Sequence, residues 1–389
     1  MRAVGDLLPA ELSRSNVRRV LTLLEYAGPI TRGELARQSL LPATTVAGVV
    51  SELLRSGLVV ERISSPVSRG AGRPPHTVEV AGPTRVVGLV AGRGSEVRVA
   101  VSTLPGGLVG ERSQPFPGGG SVDKDHSHDP VPSFATAAPL LLATLRDSGI
   151  SPDRLAGVVV SVARPFAGGV DLGSLRESLT AAVMAENDAN LGALGEAAFG
   201  AGRDLDSFVY VLLGHGVGAG LVFGGRLHRG AAGFAGELAH VQVMEQEAGP
   251  LCICGGRGCL GLLMGPSLHD FVRRAYAQRL TVPEVLSLAA DREPGVRRVF
   301  ADLGRSVGRP LADLCTMLDP AAVVVDGSLG AAGEPVMAGI REAIDRHTAP
   351  AVADSVRVIP GELGDRAELL GAVALVRQRS LDTLLTRES

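Results

Sequence analysis

The sequence contains no tryptophan, and aromatic residues make up only 3% of its 389 residues. Large rings therefore cannot dominate its hydrophobic cores, which valine, leucine and alanine must fill instead. The chain has 45% hydrophobic and 20% charged residues, so it has enough apolar side chains to bury real cores. This composition excludes a disordered protein. The length allows two or three domains.

Long apolar runs are also missing. No apolar segment follows Met1, and no run approaches the roughly 18 residues that would suggest a membrane span. The sequence thus predicts neither a secretory signal nor a membrane partner. We expect a cytoplasmic protein.

Lysine occurs once, at Lys124, so nearly all of the positive charge is arginine. The net charge of −3 is unevenly distributed, because residues 1–80 carry ten Arg against seven acidic residues. A small basic head on an acidic body fits nucleic-acid contact at one end of the chain. An excess of three charges is too small to establish that contact by itself.

The first 80 residues have the pattern of a winged helix-turn-helix. Apolar residues recur at helical spacing in three segments. The second segment begins with a capping box, in which Thr31 accepts from the amide of Glu34 and the Glu34 side chain reaches back to the amide of Thr31. Two alternating segments then predict a pair of strands. The predicted helices are 16–28, 31–39 and 42–57, and the predicted strands are 58–64 and 76–81.

The third helix of this head has one apolar face and one face of small, uncharged residues. A solvated face usually carries long charged side chains, whereas a face pressed into the major groove tolerates small polar ones. The alternative is a helical interaction domain with no nucleic-acid role. Arginines in the Gly/Pro-rich segment between the strands resemble arms that enter a minor groove, or they belong to a solvated loop. The candidate contacts with double-stranded operator DNA are Thr31, Arg32, Thr44, Thr45, Ser51, Arg69 and Arg73.

The remainder of the chain alternates strand and helix, which predicts an α/β body. Two strand pairs joined by glycine turns, at 86–101 and 207–223, suggest a duplicated lobe. Further buried strands are predicted at 156–162 and 321–330. The predicted helices are 134–148, 173–182, 189–199, 265–279, 296–318, 333–348 and 366–378.

Cysteine is scarce, with four residues, three of which are clustered. Cys252, Cys254 and Cys259 follow the spacing C-x-C-x4-C, with His240 upstream. Three thiolates and one imidazole form a closed tetrahedral zinc site, so we expect structural Zn²⁺ with no open position for catalysis. The alternative is three free thiols in a loop. Cys315 lies in the apolar segment "LADLCTML", as expected of a core residue.

These motifs together resemble the ROK family (repressors, open reading frames and kinases), and specifically its transcriptional regulators. The resemblance runs nearly end to end and is carried by "TRGELARQS", "GAGRPP", "ENDAN", "LLGHGVGAGLVFGGRLHRGAAGFAGELAHVQV" and "CICGGRGC". It implies a two-lobed, actin-like ATPase fold of the sugar-kinase type behind the winged helix-turn-helix. The implied domains are residues 1–80 for the head, 81–189 for lobe 1, completed by a C-terminal helix at 366–389, and 190–365 for lobe 2 with the zinc site.

The resemblance also implies roles for single residues. In the kinases of the family, the second acid of the "END" motif deprotonates the sugar hydroxyl that attacks ATP, and this position is Asp188. Asn187, Glu237 and His240 would hold sugar hydroxyls, and His240 would also bind zinc. The regulators of the family bind operators as dimers or tetramers, so a homodimer or homotetramer is expected here.

The sequence departs from the kinase pattern at the nucleotide side. The first phosphate loop of the kinases carries an Asp that organises metal and phosphates, and its position here falls at Val90 or Ala91. No carboxylate occurs between Glu79 and Glu96. Phosphoryl transfer depends on electrostatic clamping of the phosphates, so ATP binding and kinase activity are not expected, and Asp188 is a vestigial catalytic acid. In the second glycine turn, His215 replaces a small hydroxyl residue.

The sugar side is partly changed as well. Leu260-Gly261 replaces the Leu-Glu that usually follows the third cysteine, and a segment that supplies an Asn to the sugar is missing. Three hypotheses follow. The first is a DNA-binding transcriptional regulator, a repressor, whose kinase-inactive body senses a sugar or sugar phosphate and oligomerises. The others are an ATP-dependent sugar kinase with an appended DNA-binding head, and a ligand-independent DNA-binding regulator.

Overall fold

The structure is a computed structural model. It describes residues 14–55, 59–63, 76–80, 85–93, 96–115, 134–163, 172–214, 216–244, 249–263, 284–285, 287–288, 293–328 and 333–386. No helix in these ranges is long and apolar enough to cross a bilayer.

The N-terminal region folds around its own hydrophobic core. Three helices pack on a three-stranded antiparallel sheet in the order β1-β3-β2. The predicted helices and the strand pair are present, while the two-residue strand β1 is too short to give a sequence signal. These elements are α1 (Arg14–Ala27), β1 (Ile30–Thr31), α2 (Arg32–Ser39), α3 (Ala43–Arg55), β2 (Val59–Ile63) and β3 (His76–Val80).

Two five-stranded sheets follow, and both have the same topology. In each sheet the first three strands form an antiparallel meander, and the last two strands add in parallel beside the first. The duplicated lobe predicted from the two glycine turns is therefore present. The first sheet contains β4 (Val86–Arg93), β5 (Glu96–Thr103), β6 (Leu108–Pro115), β7 (Leu155–Val162) and β8 (Val183–Asn187). The second contains β9 (Phe208–Leu213), β10 (Val217–Phe223), β11 (Arg226–His228), β12 (Ala322–Asp326) and β13 (Arg357–Pro360).

Helices cover both sheets and meet between them. The last helix packs on the first sheet through Leu369, Val373 and Val376, while α6 packs on the second sheet through Ala189 and Ala193. The helices of this body are α4 (Ala137–Asp147), α5 (Gly173–Ser178), α6 (Asp188–Phe199), α7 (Pro294–Leu318), α8 (Glu334–His347), α9 (Pro350–Ser355) and α10 (Ala367–Thr386).

Glycines allow the close crossing of α6 and α10 that joins the two halves of the body. A Cβ at Gly371 would lie 1.8 Å from the carbonyl oxygen of Leu191, and a Cβ at Gly195 would lie 2.3 Å from that of Ala367. Any larger side chain at these two positions would push the helices apart.

Strands β6, β8, β11 and β13 were not anticipated from the sequence. Within the described residues, these four are the edge strands of the two five-stranded sheets. In β6 the run "LVGERSQP" is mostly polar, and β13 ends in Pro360. Edge strands have one exposed side, so their sequences lack the continuous apolar run that identifies central strands. The predicted helix 265–279 lies outside the described residues.

Candidate effector cleft and metal cluster

The junction of β8 and α6 places the "END" residues at the start of a helix. Asn187 is the N-cap of α6, and its Oδ1 accepts from the Asn190 amide at 3.0 Å. Asp188 is the first helical residue, and its Oδ1 accepts from the amide of Ala189 at 2.7 Å. The capping use of Oδ1 leaves the Nδ2 group of Asn187 as the part of the side chain suited to a hydroxyl ligand.

Glu186 ties this junction to the segment that follows β11. Its Oε1 accepts from the Asn187 amide at 3.1 Å and from Asn190 Nδ2 at 2.9 Å. Its Oε2 accepts from Arg229 twice, from Nε at 2.9 Å and from Nη2 at 2.7 Å. The ion pair thus links β8 of the first sheet to the segment directly after β11, and the Glu186 side chain is only 11% exposed.

Two glycines bring Glu237 towards Asp188. A Cβ at Gly218, in β10, would lie 3.0 Å from Ala189 Cβ and 4.0 Å from Asp188 Oδ1. Its neighbour Ala219 donates to the Gly236 carbonyl at 3.1 Å, and a Cβ at Gly236 would lie 2.1 Å from the Ala219 oxygen. Because Gly236 has φ +90, a residue with a side chain would be strained there. The "GELAH" segment therefore lies directly against the strand that faces Asp188.

Burial raises the pKa values of Asp188 and Glu237 in this cleft, and like charge adds to the effect at Asp188. Desolvation, together with the negative charges of Glu368 and Glu237, raises the pKa of Asp188 to about 7. Desolvation also raises the pKa of Glu237. Glu368, from α10, was not singled out from the sequence, because only the fold brings the C-terminal helix to this point.

His240, Cys252, Cys254 and Cys259 form one cluster, as their spacing predicted. His240 Nδ1 lies 3.5 Å from Cys252 Sγ, and Cys254 Sγ lies 3.6 Å from Cys259 Sγ. All four ligand atoms lie within 4.8 Å of one another. Donors bound to one tetrahedral zinc ion are separated by roughly 3.5 to 3.8 Å, so these residues fit such an ion.

Glycines shape the loop that carries the thiols. Gly255 and Gly258 have φ values of +87 and +67, and the amide of Cys252 donates to the Gly256 carbonyl at 2.7 Å. The turn directs the sulfur atoms to one point. His240 faces the cluster through Nδ1, which places Nε2 on the opposite side of the ring.

The positions at which the sequence was expected to depart from the kinase pattern carry no carboxylate. Val90 and Ala91 are buried in β4 and supply no carboxylate. At Gly261, a Cβ would lie 3.2 Å from the carbonyl oxygen of Ala239, so a side chain there would make a tight contact with this neighbouring segment. His215 lies outside the described residues.

The structure separates the two faces of α3 as predicted. Val46, Val49, Val50 and Leu53 are fully buried, whereas Thr44 and Ser51 are exposed and Thr45 is half-buried.

Two of the other candidate DNA contacts are held by local bonds. Thr31 caps α2 by accepting from the Glu34 amide at 3.2 Å, as the capping box predicted. Arg32 Nε bonds Glu61 Oε1 at 2.9 Å. Arg69 and Arg73 lie outside the described residues.

Comparison with known proteins places the chain in a family. The ROK family profile matches residues 149–379, which is more than half of the chain. The chain belongs to the ROK family. The xylose repressor of Bacillus subtilis (strain 168) is 26% identical over 378 residues, covering 96% of this chain and 97% of the repressor. The glucokinase of Thermotoga maritima is 32% identical over 213 residues, covering 51% of this chain and 66% of the kinase.

A solved structure has the same overall fold. A ROK family transcriptional regulator, a homologue of the E. coli MLC protein, superposes with a TM-score of 0.73 at 22% identity. The superposition covers 96% of this chain and 97% of that one. The ROK-type, actin-like fold predicted for the body is confirmed, and the likeness continues through the N-terminal region.

Proposed function

We propose that this ROK protein is a DNA-binding transcriptional regulator, acting as a repressor, whose body binds a sugar or sugar phosphate without phosphorylating it. The observation that carries the proposal is the likeness to a xylose repressor over 96% of the chain, head included. A glucokinase matches only about half of the chain. The likeness to the repressor thus extends over nearly the whole chain, whereas the likeness to the kinase does not.

The head is proposed to be a winged helix-turn-helix formed by residues 1–80. Helices α2 and α3 are proposed as the helix-turn-helix, and β2 and β3 as the strands of the wing. The small, outward-facing residues of α3 suit close approach to base edges in the major groove. The proposed contacts with double-stranded operator DNA are Thr31, Arg32, Thr44, Thr45, Ser51, Arg69 and Arg73.

The body is proposed to sense an effector through Asn187, Asp188, Glu237 and His240. Residues 81–189 with the C-terminal helix form lobe 1, and 190–365 form lobe 2. Because α6 and Glu186 connect the two lobes at this cleft, a ligand bound there would favour one relative position of the lobes over another. A homodimer or homotetramer would then transmit the change to paired heads on a two-fold operator.

Zinc is proposed as a structural cofactor held by His240, Cys252, Cys254 and Cys259. The ion would cross-link the "GELAH" segment to the loop that carries the three cysteines. It would also orient the imidazole of His240, whose opposite edge is proposed to face the effector.

Kinase activity is the second candidate, favoured by the retained acid Asp188 at a helix N-terminus. The buried aliphatic residues at Val90 and Ala91 oppose it, because they leave no carboxylate for a metal at the first phosphate loop. Asp188-dependent phosphorylation of a sugar by ATP would overturn the regulator proposal.

The decisive experiment measures affinity for the DNA upstream of the protein's own gene by fluorescence anisotropy at fixed salt, with and without sugars and sugar phosphates. Fixed salt is needed because phosphate contacts make the affinity strongly salt-dependent. We expect specific binding that one sugar ligand changes. Binding that no ligand changes would favour the ligand-independent regulator, and no specific binding would refute the proposal.

A further inference from the structure

The helix N-terminus in the effector cleft is already filled by the protein's own side chains. The amides of Asn187, Ala189 and Asn190 donate to the side chains of Glu186, Asp188 and Asn187 respectively. Free amides at a helix N-terminus form an anion site. Here a phosphate group would have to displace three bonds from side chains that belong to the same turn.

The charges around the cleft are also unfavourable for an anion. Glu368 and Glu237 both oppose the ionisation of Asp188 electrostatically, so the acids of this cleft act on one another's site through Asp188. A phosphate monoester carries about −1.5 to −2 charge at pH 7 and is repelled by such a group of acids. Carboxylates, by contrast, accept hydrogen bonds from neutral sugar hydroxyls.

The cation that these contacts bring to the cleft is Arg229, and Glu186 neutralises it. Both Nε and Nη2 of Arg229 donate to one Glu186 oxygen. The guanidinium is 41% exposed, whereas the Glu186 side chain is 11% exposed. Within the described part of the chain, the arginine that could meet a phosphate at this cleft is therefore already paired with an almost buried carboxylate.

We infer that the effector of this cleft is an uncharged sugar, not a sugar phosphate, and that Glu186 sets this selectivity by neutralising Arg229. The inference rests on the proposed function, since it names the ligand class of the same site. Glu186 acts on the ligand through Arg229, and it also positions Asn187 by accepting from its amide.

The first test is isothermal titration calorimetry of the zinc-loaded, full-length protein with matched pairs of probes. The pairs are glucose, mannose and N-acetylglucosamine, each with its 6-phosphate. We expect at least one free sugar to bind, with its 6-phosphate about tenfold or more weaker, which is about 1.4 kcal/mol. A 6-phosphate that binds as tightly as its free sugar, or no free sugar that binds at all, would overturn the inference.

The second test changes the charge of the Glu186–Arg229 ion pair. Glu186→Gln keeps an acceptor oxygen but releases Arg229, so the preference for the free sugar should narrow by at least about threefold. Arg229→Gln removes the cation that neutralises Glu186, so the preference for the free sugar should widen. An unchanged preference in both variants, with zinc content intact, would contradict the role of Glu186. If Glu186→Gln does not fold, the direction of change in Arg229→Gln alone decides the matter.

Glu342→Gln is the matched control. Glu342 bonds Arg305 Nη1 at 2.8 Å on the exposed surface where α7 and α8 pack, so it makes the same kind of pair away from the cleft. The preference should stay at the wild-type value in this variant.

Operator affinity, measured in the same preparations, tests the regulator function separately from the sugar preference of the cleft. Operator binding combined with a preference for the 6-phosphate refutes the inference and leaves the regulator function standing. Loss of specific operator binding refutes the proposed function, whatever sugar the cleft prefers.

Discussion

The carboxyl group of Asp188 lies where burial and like charge both oppose its ionisation. Its pKa is raised from 3.8 to about 7, mainly by desolvation and then by Glu368 and Glu237. In a kinase of this fold, a raised pKa would suit an acid that accepts a proton from a sugar hydroxyl. In this chain the same property leaves Asp188 able to donate to a ligand as well as to accept from it near neutral pH.

The raised pKa of Asp188 predicts a pH-dependent stability. Between about pH 4 and pH 7 the folded protein retains a proton that the unfolded chain has lost, so this group makes stability fall as pH rises through that window. Asp188→Asn should therefore melt higher than wild type at pH 8, and the difference should vanish near pH 4. Thermal unfolding from pH 4 to pH 8 measures this. A difference that does not depend on pH would contradict it.

The Asp188→Asn variant should keep part of the pH dependence of stability. Burial also raises the pKa values of Glu196 and Glu237, and these groups act in the same direction. The test is thus the difference between the two proteins and not the slope of either curve alone.

Replacing single cysteines should show which thiols bind zinc and which only pack in the core. Cys254→Ala leaves three ligands, so the protein should lose bound zinc and unfold at a lower temperature. Cys315→Ala is the control, because Cys315 is buried in a hydrophobic core and is not one of the four clustered residues, so this variant should keep full zinc content. Zinc content by atomic emission and thermal unfolding measure both effects. Full zinc in Cys254→Ala would refute the ligand assignment.

Helix α3 shows how one element serves two purposes. Its buried face anchors the head, with Val46, Val49, Val50 and Leu53 completely enclosed. Its opposite face carries small residues that leave the backbone accessible. The helix can therefore be tested face by face.

The two faces of α3 should respond differently to truncation. Thr45→Ala should weaken operator binding with little effect on stability, because it removes a proposed groove contact from the outward face. Leu53→Ala should cost about 2 to 5 kcal/mol of folding free energy, because it leaves a cavity in the head. Anisotropy and thermal unfolding measure the two losses. A Thr45→Ala variant with unchanged operator affinity would remove Thr45 from the proposed interface.

The crossing of α6 and α10 is a second element with a clear test. Gly371→Ala places a methyl group against the Leu191 carbonyl, so it should destabilise the body by about 1 to 3 kcal/mol. Gly33→Ala is the control, since nothing lies within 4 Å of that position in α2. The control should be neutral or stabilising by up to about 1 kcal/mol. Equal stability of the two variants would show that the crossing is not close-packed.

At the scale of the whole molecule, the head and body are in contact. Helix α1 lies against α10, the same helix that covers the first sheet and brings Glu368 to the cleft. A change in lobe position at the cleft therefore has a packed route to the head. This arrangement fits a regulator in which ligand and DNA influence each other.

Linkage makes the coupling between the cleft and the head testable from both ends. If a sugar changes operator affinity by some factor, operator DNA must change sugar affinity by the same factor. We expect Asp188→Ala to abolish the sugar effect while leaving operator affinity without sugar near the wild-type value. Fluorescence anisotropy measures how much the sugar changes operator affinity. Calorimetry with and without operator DNA measures how much the DNA changes sugar affinity. A sugar effect that survives in Asp188→Ala would place the effector elsewhere.

Much of the candidate site followed from local sequence. Ligand spacing and glycine turns in "CICGGRGC" predicted the cluster, because those features act within a few residues. The pairing of Glu186 with Arg229 could not be predicted, since 43 residues separate the partners and each looks like an ordinary surface charge. The close approach of Gly261 to Ala239 could not be predicted either, because the two residues lie in different segments of the chain.

By itself the sequence determined the family, the central strands and most helices, the cluster of His240 with three cysteines, and the capping of α2 by Thr31. These features depend on residue identity and short-range periodicity. Only the tertiary structure decided which strands form the sheet edges, which charges surround Asp188 and how α6 crosses α10. Those outcomes depend on contacts between residues far apart in the chain, and such contacts exist only once the two lobes have packed together.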